Sequence, residues 1–343
     1  MAHRTFILLA TLAIPHLASS QIRTRLPTPT VTFTVGGEHT GSMPDFGSIH
    51  EAVEAAPPEG AVIRIRPGVY REVVHIDHPN MQLRGIDKDP SKVVIVYDNG
   101  TSNTCGTFCS PTMSVSGDDF YAENLTIAND WGRSGRPRTQ AVALSITADR
   151  AVLRNVRLLG EQGTLMAGSK CKATSELPCH ASRQLFEDCY IEGEVDFIFG
   201  NAKAVFEGCE IHSVPHPAGG YLTAQSRQAG EDSGYVFNHC HLTADPGAGM
   251  VYLGRPWRDY ATVVFLNTEM GQHIQPEGWS EWQKGQTDRL KTATYAEFRS
   301  LGAGANPSAR EPLSHQLTSE QVRAYLLPHF LAGEDHWNPD TMR

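Results

Sequence analysis

The 343-residue sequence lacks the features that mark several large classes of protein. Its 29 basic side chains are outnumbered by 38 acidic ones, giving a net charge of -9, whereas nucleic-acid-binding proteins usually carry a basic surface. Beyond residue 20, no apolar run reaches the roughly 18 residues that a membrane-spanning helix needs. The hydrophobic content of 40% excludes an intrinsically disordered chain, and 31 glycines with 21 prolines disfavour a helical bundle. What is left is a folded protein with many turns.

The amino-terminal residues have the pattern of a secretory signal peptide. A basic start precedes an apolar stretch from Thr5 to Leu17, and the small residues Ala18 to Ser20 suit cleavage. Secretion predicts an oxidising environment, in which disulfides persist. We therefore expect three segments: a signal peptide (1–20), a linker (21–32) and a single domain (33–343).

A short polar phrase recurs through the body of the chain and predicts a solenoid. Each copy places one polar or small residue between two strand-like positions, at Asn124, Asn155, Asp188, Gly208, His239 and Asn267. The intervals of 31, 33, 20, 31 and 28 residues suit one coil of a β-solenoid each. We predict an all-β fold, a parallel β-helix with short capping helices at its ends. A β-sandwich is the alternative, although its strands should alternate more regularly between apolar and polar residues.

Local periodicity predicts individual elements of this fold. Helical spacing of apolar residues predicts helices over Asp45–Ala56, Thr294–Leu301 and Thr318–Leu327. Runs of β-branched and alternating residues predict strands over Val62–Arg66, Val93–Tyr97, Ala141–Ile146 and Val195–Phe199.

The seven cysteines fall into two groups. Cys189, Cys209 and Cys240 occupy the same position in the repeat, so we expect them to stack as buried free thiols. The remaining four lie in loops rich in Thr, Ser and Pro. Because they lie in loops, the pairs Cys105 with Cys109 and Cys171 with Cys179 are the better disulfide candidates.

Several polar residues inside strand-like segments are candidate catalytic or substrate-binding residues. Asp196 is flanked by large apolar residues, where a carboxylate is costly unless it is paired or functional. Arg255 and Trp257 could hold a carboxylate and stack on a sugar ring. Gln140 and Gln162 stand at strand ends, where their amides could donate to an oxyanion. Each of these residues taken alone also has an ordinary structural explanation.

Taken together, these segments resemble the pectin methylesterases, a family of carbohydrate esterases. The matching segments are Gly68–Glu72, Gln140–Leu144, Tyr190–Asn201, Thr223–Arg227, Leu253–Trp257, Gly278–Trp282 and Gln316–Gln321. The resemblance implies a right-handed parallel β-helix with a carbohydrate groove, and hydrolysis of galacturonate methyl esters in pectin to methanol and carboxylate. It implies no metal and no organic cofactor. We expect a secreted monomer whose partner is pectin, with neither nucleic acid nor a membrane as a partner.

The resemblance also implies a role for each catalytic candidate. Asp196 matches the nucleophile that attacks the ester carbonyl, and Arg255 matches the residue that hydrogen-bonds it and keeps it ionised. Gln140 and Gln162 match the amides beside the developing oxyanion. A carboxylate nucleophile and preorganised donors are a coherent set for acyl transfer.

Three further residues are predicted to bind substrate: Trp257 as the wall of the sugar subsite, together with Phe199 and Arg183. De-esterified pectin is a polyanion, so an acidic protein should repel its own product. A cationic groove containing Arg255, Arg183 and Arg227 would offset this repulsion. A preference for highly methylated, nearly neutral pectin would avoid it, and we favour that hypothesis.

One position departs from the family pattern. Gly163 stands where the resemblance places an aspartate that serves as general acid/base, a role worth ~10²–10⁴ in rate. Asp130, Glu161 and Glu194 are the neighbouring carboxylates, although strand alternation directs Glu161 away from the face of Gln162. Three hypotheses follow: a competent esterase, a weakened esterase or one with an altered ester or thioester substrate, and a protein that binds pectin without hydrolysing it.

Overall fold

The computed structural model describes residues 29–36, 43–172 and 176–339. The predicted signal peptide (1–20) and most of the predicted linker (21–32) lie outside these residues. Within the described part of the chain, no helix is long and apolar enough to cross a membrane.

In the described residues, 24 strands wind into a coil with three faces, called sheets 1, 2 and 3. Sheets 1 and 2 are joined into one 17-stranded sheet, and sheet 3 has seven strands. Sheet 1 contains β1 (Thr32–Val35), β2 (Val62–Ile65), β5 (Gln82–Gly85), β12 (Arg183–Glu187), β15 (Lys203–Glu207), β18 (Gly234–Asn238), β21 (Thr262–Leu266), β23 (Thr294–Phe298) and β24 (His315–Gln316). Sheet 2 contains β3 (Gly68–Arg71), β6 (Val93–Tyr97), β13 (Tyr190–Gly193), β16 (Glu210–Ser213), β19 (His241–Ala244) and β22 (Glu269–Met270). The long strands β8 (Tyr121–Asn129) and β10 (Ala151–Leu159) bend and contribute to both.

Sheet 3 carries the cleft described below. It contains β4 (Val74–Ile76), β7 (Met113–Val115), β9 (Leu144–Ile146), β11 (Leu165–Ala167), β14 (Val195–Gly200), β17 (Gly220–Gln225) and β20 (Val251–Gly254). Each strand pairs in parallel with its counterpart in the next coil, for example Leu165 with Ile198. The ladders therefore run along the coil axis, and the predicted parallel β-helix is confirmed.

The recurring polar phrase marks the corner between sheets 1 and 2. Its central residues all adopt left-handed backbone angles, with φ of 57°, 49°, 52°, 63°, 52° and 48° at Asn124, Asn155, Asp188, Gly208, His239 and Asn267. Asn, Asp and Gly tolerate this conformation better than other residues, which explains the composition of the phrase. The amide of Asn155 also donates to the Asn124 side chain of the preceding coil at 2.8 Å. The sequence repeat is thus a repeat of corner geometry.

Residues that point inward stack from coil to coil and form the core. Phe186, Phe206, Phe237 and Phe265 stand on successive strands of sheet 1 with ring centroids 4.8, 4.4 and 4.6 Å apart. Cys189, Cys209 and Cys240 follow the corner residues and are buried free thiols, as predicted. Burial raises the pKa of the Cys189 and Cys209 thiols well above the ordinary value, so these groups pack as small apolar side chains.

The amino-terminal end of the coil is covered by helix α1 (Ile49–Glu54). Its first turn is capped by Ser48, whose hydroxyl accepts from the Glu51 backbone N–H at 3.2 Å. Ile49 and Val53 are buried in the main core. The predicted amino-terminal helix is confirmed, although it is shorter than residues 45–56.

The carboxy-terminal segment corrects part of the helix prediction. Residues Thr294–Phe298 form strand β23, not a helix, because β21 supplies a parallel ladder for them, and the short helix α2 (Asp288–Thr292) precedes this strand. A 3₁₀ helix (Gln321–Tyr325) and helix α3 (Leu327–Phe330) lie over the outer side of sheet 1. Apolar side chains from both, such as Val322 and Phe330, pack there against the strands.

Both predicted disulfides are present in the described residues. Cys105 bonds with Cys109, and Cys171 bonds with Cys179. The first closes a small loop that contributes to the cleft on sheet 3.

Candidate active site

A cleft opens on the outer side of sheet 3. Strand β14 supplies its floor, and loops from the neighbouring coils form its walls. Its lining residues are Thr107, Phe108, Gln140, Gln162, Gly163, Asp196, Phe199, Ala224, Trp257 and Trp282. Five of the seven residues predicted to form the site from sequence therefore meet at one place: Gln140, Gln162, Asp196, Phe199 and Trp257.

Asp196 reaches the cleft because strand β14 is irregular at this point. Its register with β17 shifts between Val195 and Ile198, and Asp196 itself adopts a left-handed φ of 48°. A bulge of this kind re-aims a side chain that regular alternation would place elsewhere. Phe197 and Ile198 are buried in the core, while the Asp196 side chain keeps 17% of its surface exposed.

Arg255 holds Asp196 through a bidentate ion pair. Its Nε donates to Oδ1 at 2.9 Å, and its Nη2 donates to Oδ2 at 2.6 Å. The guanidinium carbon lies 3.9 Å from the centroid of the Tyr221 ring and 4.6 Å from that of the Trp282 ring. A planar guanidinium that packs on two rings has little freedom, so the carboxylate it holds is also fixed.

The pKa of Asp196 reflects two opposing effects. Burial raises it, whereas the hydrogen bonds and the charge of Arg255 lower it, and the net result is a pKa above the ordinary value. The pKa of Arg255 is also raised, because its attraction to Asp196 outweighs the opposing effect of burial. A carboxylate with a raised pKa is more basic than a solvated one, which suits attack on a carbonyl carbon.

The two glutamines enter the cleft from adjacent loops. The backbone carbonyl of Gln140 accepts from the Thr101 N–H at 2.9 Å, and Gln162 lies opposite Val195 in an isolated parallel bridge. These main-chain contacts hold both residues beside Asp196. Within the described residues, neither side-chain Nε2 donates to another protein group. Both amides can therefore donate to a bound ligand.

Gly163 leaves an open place next to these amides. A Cβ built on it would lie 3.4 Å from the Phe199 ring and 3.9 Å from the Gln140 side chain, both ordinary contact distances. The backbone is left-handed here, with φ of 74°, and among L-residues Asn and Asp adopt this conformation most readily. The cleft therefore has room for a side chain that the sequence does not supply.

The three neighbouring carboxylates do not fill that place. Glu194 and Glu161 both pair with Arg138, and Asp130 accepts a hydrogen bond from Arg71 Nη1 at 2.9 Å. None of the three carboxylates lines the cleft. Asp196 is thus the one carboxylate among the described lining residues.

Aromatic and aliphatic side chains form the rest of the wall. Phe199 and Trp257 meet edge to face with ring centroids 6.0 Å apart, in a small apolar cluster with Val142 and Ala224. Phe108 is 63% exposed at the opposite side. Such a surface is suited to the apolar faces of a sugar ring.

The structure corrects the prediction that Arg183 binds substrate. Arg183 stands on β12 in sheet 1, away from the cleft, and donates to Asp149 at 2.7 Å and to Asp335. It also donates to the backbone carbonyl of Ala332 at 3.0 Å. Its function is therefore to fasten the carboxy-terminal segment onto sheet 1.

Four contributors to the cleft region were missed from sequence: Thr107, Phe108, Tyr221 and Trp282. Trp282 belongs to the Gly278–Trp282 motif, so its importance could have been inferred from that segment. Phe108 stands between two closely spaced cysteines, a sign of a short, fixed loop. Nothing in the local sequence of Tyr221 indicates that it packs on Arg255.

Comparisons with known proteins agree with this geometry. The sequence profile of the family described as Pectinesterase matches residues 34–334. The chain is 34% identical over 304 residues to "Pectinesterase 31" of Arabidopsis thaliana, a match that covers 84% of this chain and 90% of that protein. The chain belongs to the pectinesterase family.

Solved pectin methylesterase structures share the architecture of most of the chain. The pectin methylesterase from carrot superposes with a TM-score of 0.79 at 29% identity, covering 92% of this chain and 96% of its own. A pectin methylesterase in complex with a hexasaccharide superposes with a TM-score of 0.73 at 29% identity, covering 90% and 98%. The predicted right-handed parallel β-helix is confirmed by these neighbours, and as a pectinesterase the protein is a carboxylic ester hydrolase.

Proposed function

We propose that this protein hydrolyses the methyl esters of galacturonate in pectin, with Asp196 as the nucleophile. The observation that carries the proposal is the bidentate Asp196–Arg255 pair, which stands in an open cleft between two amides and an aromatic wall. Membership of the pectinesterase family and the hexasaccharide complex of a structural neighbour support pectin as the substrate.

The first half of the reaction forms a covalent intermediate. Ionised Asp196 attacks the ester carbonyl, and the amides of Gln140 and Gln162 donate to the oxyanion that develops there. Methoxide then leaves and takes one proton to become methanol. Because Gly163 has no side chain to supply that proton, we assign the transfer to water.

The second half regenerates the enzyme. The intermediate is a mixed anhydride between Asp196 and the galacturonate carbonyl. Water attacks it, releases two carboxylates and two protons, and restores the Asp196–Arg255 pair. Over the whole cycle one ester and one water give one methanol, one carboxylate and one proton. These steps use only the residues of the chain and water, so we propose that no cofactor takes part.

The cleft is suited to a neutral section of the polymer. Trp257 and Phe199 present apolar surface to a sugar ring, and the charge of Arg255 is balanced by Asp196. The positive charge that Arg183 and Arg227 were expected to add is absent from the lining residues. Arg227 instead donates to the Thr262 hydroxyl at 3.2 Å. We therefore propose that the residue bound in the cleft is methyl-esterified.

The empty place at Gly163 favours a second candidate: a pectin-binding protein with weak or no hydrolysis. Removal of a general acid typically costs ~10²–10⁴ in rate. The two candidates differ in methanol release from methylated pectin. We expect wild type to release methanol and Asp196→Asn to release almost none. Retention of pectin without methanol release by wild type would establish the second candidate instead.

Secretion and a monomeric state complete the proposal. Two disulfides within the described residues are consistent with an oxidising compartment, where such bonds persist. Mass spectrometry of the secreted protein would test the signal peptide: we expect a mature chain that starts near residue 21.

A further inference from the structure

The nucleophile and the two amides come to the cleft on three separate stretches of chain, which we call the site segments. These stretches, 138–141, 161–163 and 194–196, carry Gln140, Gln162 and Asp196. Their main chains are joined by three hydrogen bonds, from Ala141 N–H to the Gln162 carbonyl at 3.0 Å, from Gly163 N–H to the Val195 carbonyl at 3.1 Å and from Glu194 N–H to the Glu161 carbonyl at 3.0 Å. The distances between the three reactive side chains therefore depend on how the site segments lie against one another.

The side chain of Arg138 adds a second connection between the site segments. Arg138 belongs to the first site segment and stands two residues before Gln140. Its Nη1 donates to the Glu194 carboxylate and lies 3.9 Å from Oε2 of Glu161. A single guanidinium nitrogen thus contacts a carboxylate on each of the other two site segments.

Glu194 depends on this contact because its carboxylate is buried. Only 1% of its side chain is exposed, whereas 46% of the Arg138 side chain is exposed. Within residues 29–36, 43–172 and 176–339, Arg138 is the one basic residue that pairs with Glu194. A buried carboxylate without a partner is costly, so removal of Arg138 should displace Glu194. One residue separates Glu194 from Asp196, and the displacement would therefore reach the nucleophile.

The loop that carries Arg138 is packed closely against the second site segment. A Cβ built on Gly132 of this loop would overlap the Glu161 carboxylate, so glycine lets the loop main chain approach it. Arg133, also in this loop, pairs with Glu192. The loop is thus docked on the strands beside the cleft, and Arg138 is held where it can connect the site segments.

We propose that Arg138 is a positioning residue, which binds Glu194 and Glu161 and thereby sets Asp196 and the two amides in the relative positions that the reaction requires. This inference rests on the proposed function. Arg138 does not line the cleft, so it acts without touching the substrate. The amides act on an oxyanion that exists only during the reaction, and misalignment should therefore lower kcat and leave KM nearly unchanged.

The test compares Arg138→Ala with wild type by initial rates of methanol release from highly methylated pectin. We expect kcat to fall about tenfold to a hundredfold, the usual cost of a small misplacement of reacting groups, while KM stays within about twofold. Arg136→Ala is the matched control, because it removes the same charge from the same loop at a similar exposure of 41%. Arg136 pairs with Asp98, which lies outside the site segments, so both constants should equal those of wild type.

Two further variants separate positioning from a general weakening of the fold. In Arg138→Lys one ammonium can make both contacts, since a single nitrogen makes them in wild type, and kcat should recover to within about threefold of wild type. Glu194→Gln should lower kcat by itself. Combined with Arg138→Ala, it should lower kcat no further than Arg138→Ala alone, because both changes remove the same contact.

Two kinetic results would overturn the inference: equal kcat for Arg138→Ala and wild type, or equal losses in Arg138→Ala and Arg136→Ala. If wild type releases no methanol, the proposed function fails, and hydrogen exchange decides the inference without reference to activity. The amides of Ala141, Gly163 and Glu194, which join the site segments, should exchange at least about tenfold faster in Arg138→Ala than in Arg136→Ala. Equal exchange in the two variants would refute the positioning role.

Discussion

Two arginine–carboxylate pairs in this protein use the same side chains in different surroundings. Arg310 and Glu297 lie in the last coils with only 2% of each side chain exposed, whereas Arg255 and Asp196 keep 20% and 17% exposed at the cleft. Both pairs are close, with Arg310 Nε 2.6 Å from Glu297 Oε1 and Arg255 Nη2 2.6 Å from Asp196 Oδ2. Proximity alone therefore does not distinguish a structural pair from a catalytic one.

The difference lies in the remaining hydrogen bonds. Arg310 also donates to the carbonyls of Pro276 and Gly304, at 3.0 and 2.9 Å, and Glu297 accepts from Ser300 at 2.8 Å. Asp196 has no described donor other than Arg255. Glu297 thus accepts hydrogen bonds from two side chains and is held in place, whereas a carboxylate with free lone pairs facing a cleft can react.

The largest expected effect is a loss of activity when the Asp196–Arg255 pair at the cleft is changed. Asp196→Asn keeps the shape of the side chain but removes the charge and nucleophilicity, so methanol release should fall by at least about 10³-fold. Thermal unfolding of the variant should confirm that it still folds, since Arg255 still packs on the Tyr221 and Trp282 rings. Undiminished methanol release by this variant would remove Asp196 from the mechanism.

The matched change at the buried Arg310–Glu297 pair should lower the stability of the protein instead of its activity. Glu297→Gln leaves the Arg310 charge buried without its partner, which typically costs about 3–5 kcal/mol. Urea unfolding measures this loss. The kcat of the folded protein should match wild type, because Glu297 does not line the cleft. A variant of wild-type stability would show that the comparison between the two pairs is mistaken.

Gly163→Asp tests whether the cleft lacks a general acid beside Asp196. An acid in that place should raise kcat by up to about 10²-fold, the lower end of the usual range for general acid catalysis. Gly163→Asn is the control, because it fits the same left-handed backbone and has no proton to transfer as an acid. Equal rates for wild type and Gly163→Asp would mean that proton transfer does not limit the reaction.

The pH profile should show a smaller but diagnostic effect. Protonated Asp196 cannot attack, so kcat/KM should fall as the pH drops through its pKa, which burial raises above the ordinary value. The acid limb should therefore lie above about 3.9, the value for a solvated aspartate. Wild type should lack the alkaline limb of a general acid, and Gly163→Asp should gain one. An acid limb at the ordinary value would contradict the raised pKa.

Much of the fold was predictable because each coil repeats the same corner between sheets 1 and 2. The corner residues can be recognised by their type, since each must adopt a left-handed backbone conformation. The thiol column was predictable for the same reason: Cys189, Cys209 and Cys240 each follow a corner residue and face inward. The strand Thr294–Phe298 was mistaken for a helix because its spacing is ambiguous, and only the neighbouring β21 decides its hydrogen bonds.

The site was predictable where a motif carried it and not where distant chain segments meet. Asp196, Arg255 and Trp257 lie in long segments that resemble a family. Arg183 was also predicted to bind substrate, yet it lies on strand β12 of sheet 1, where it pairs with Asp335, 152 residues further along the chain.

The sequence by itself determined the coil, its corners, its two disulfides and the identities of most cleft residues. These features depend on contacts within one coil or on residue types that only one conformation suits. The tertiary structure decided which charges are neutralised and which remain available. It buried the Arg310–Glu297 pair and left Asp196 exposed to the cleft. Ion pairing depends on distances between residues far apart in the chain, and only the packing of successive coils sets those distances.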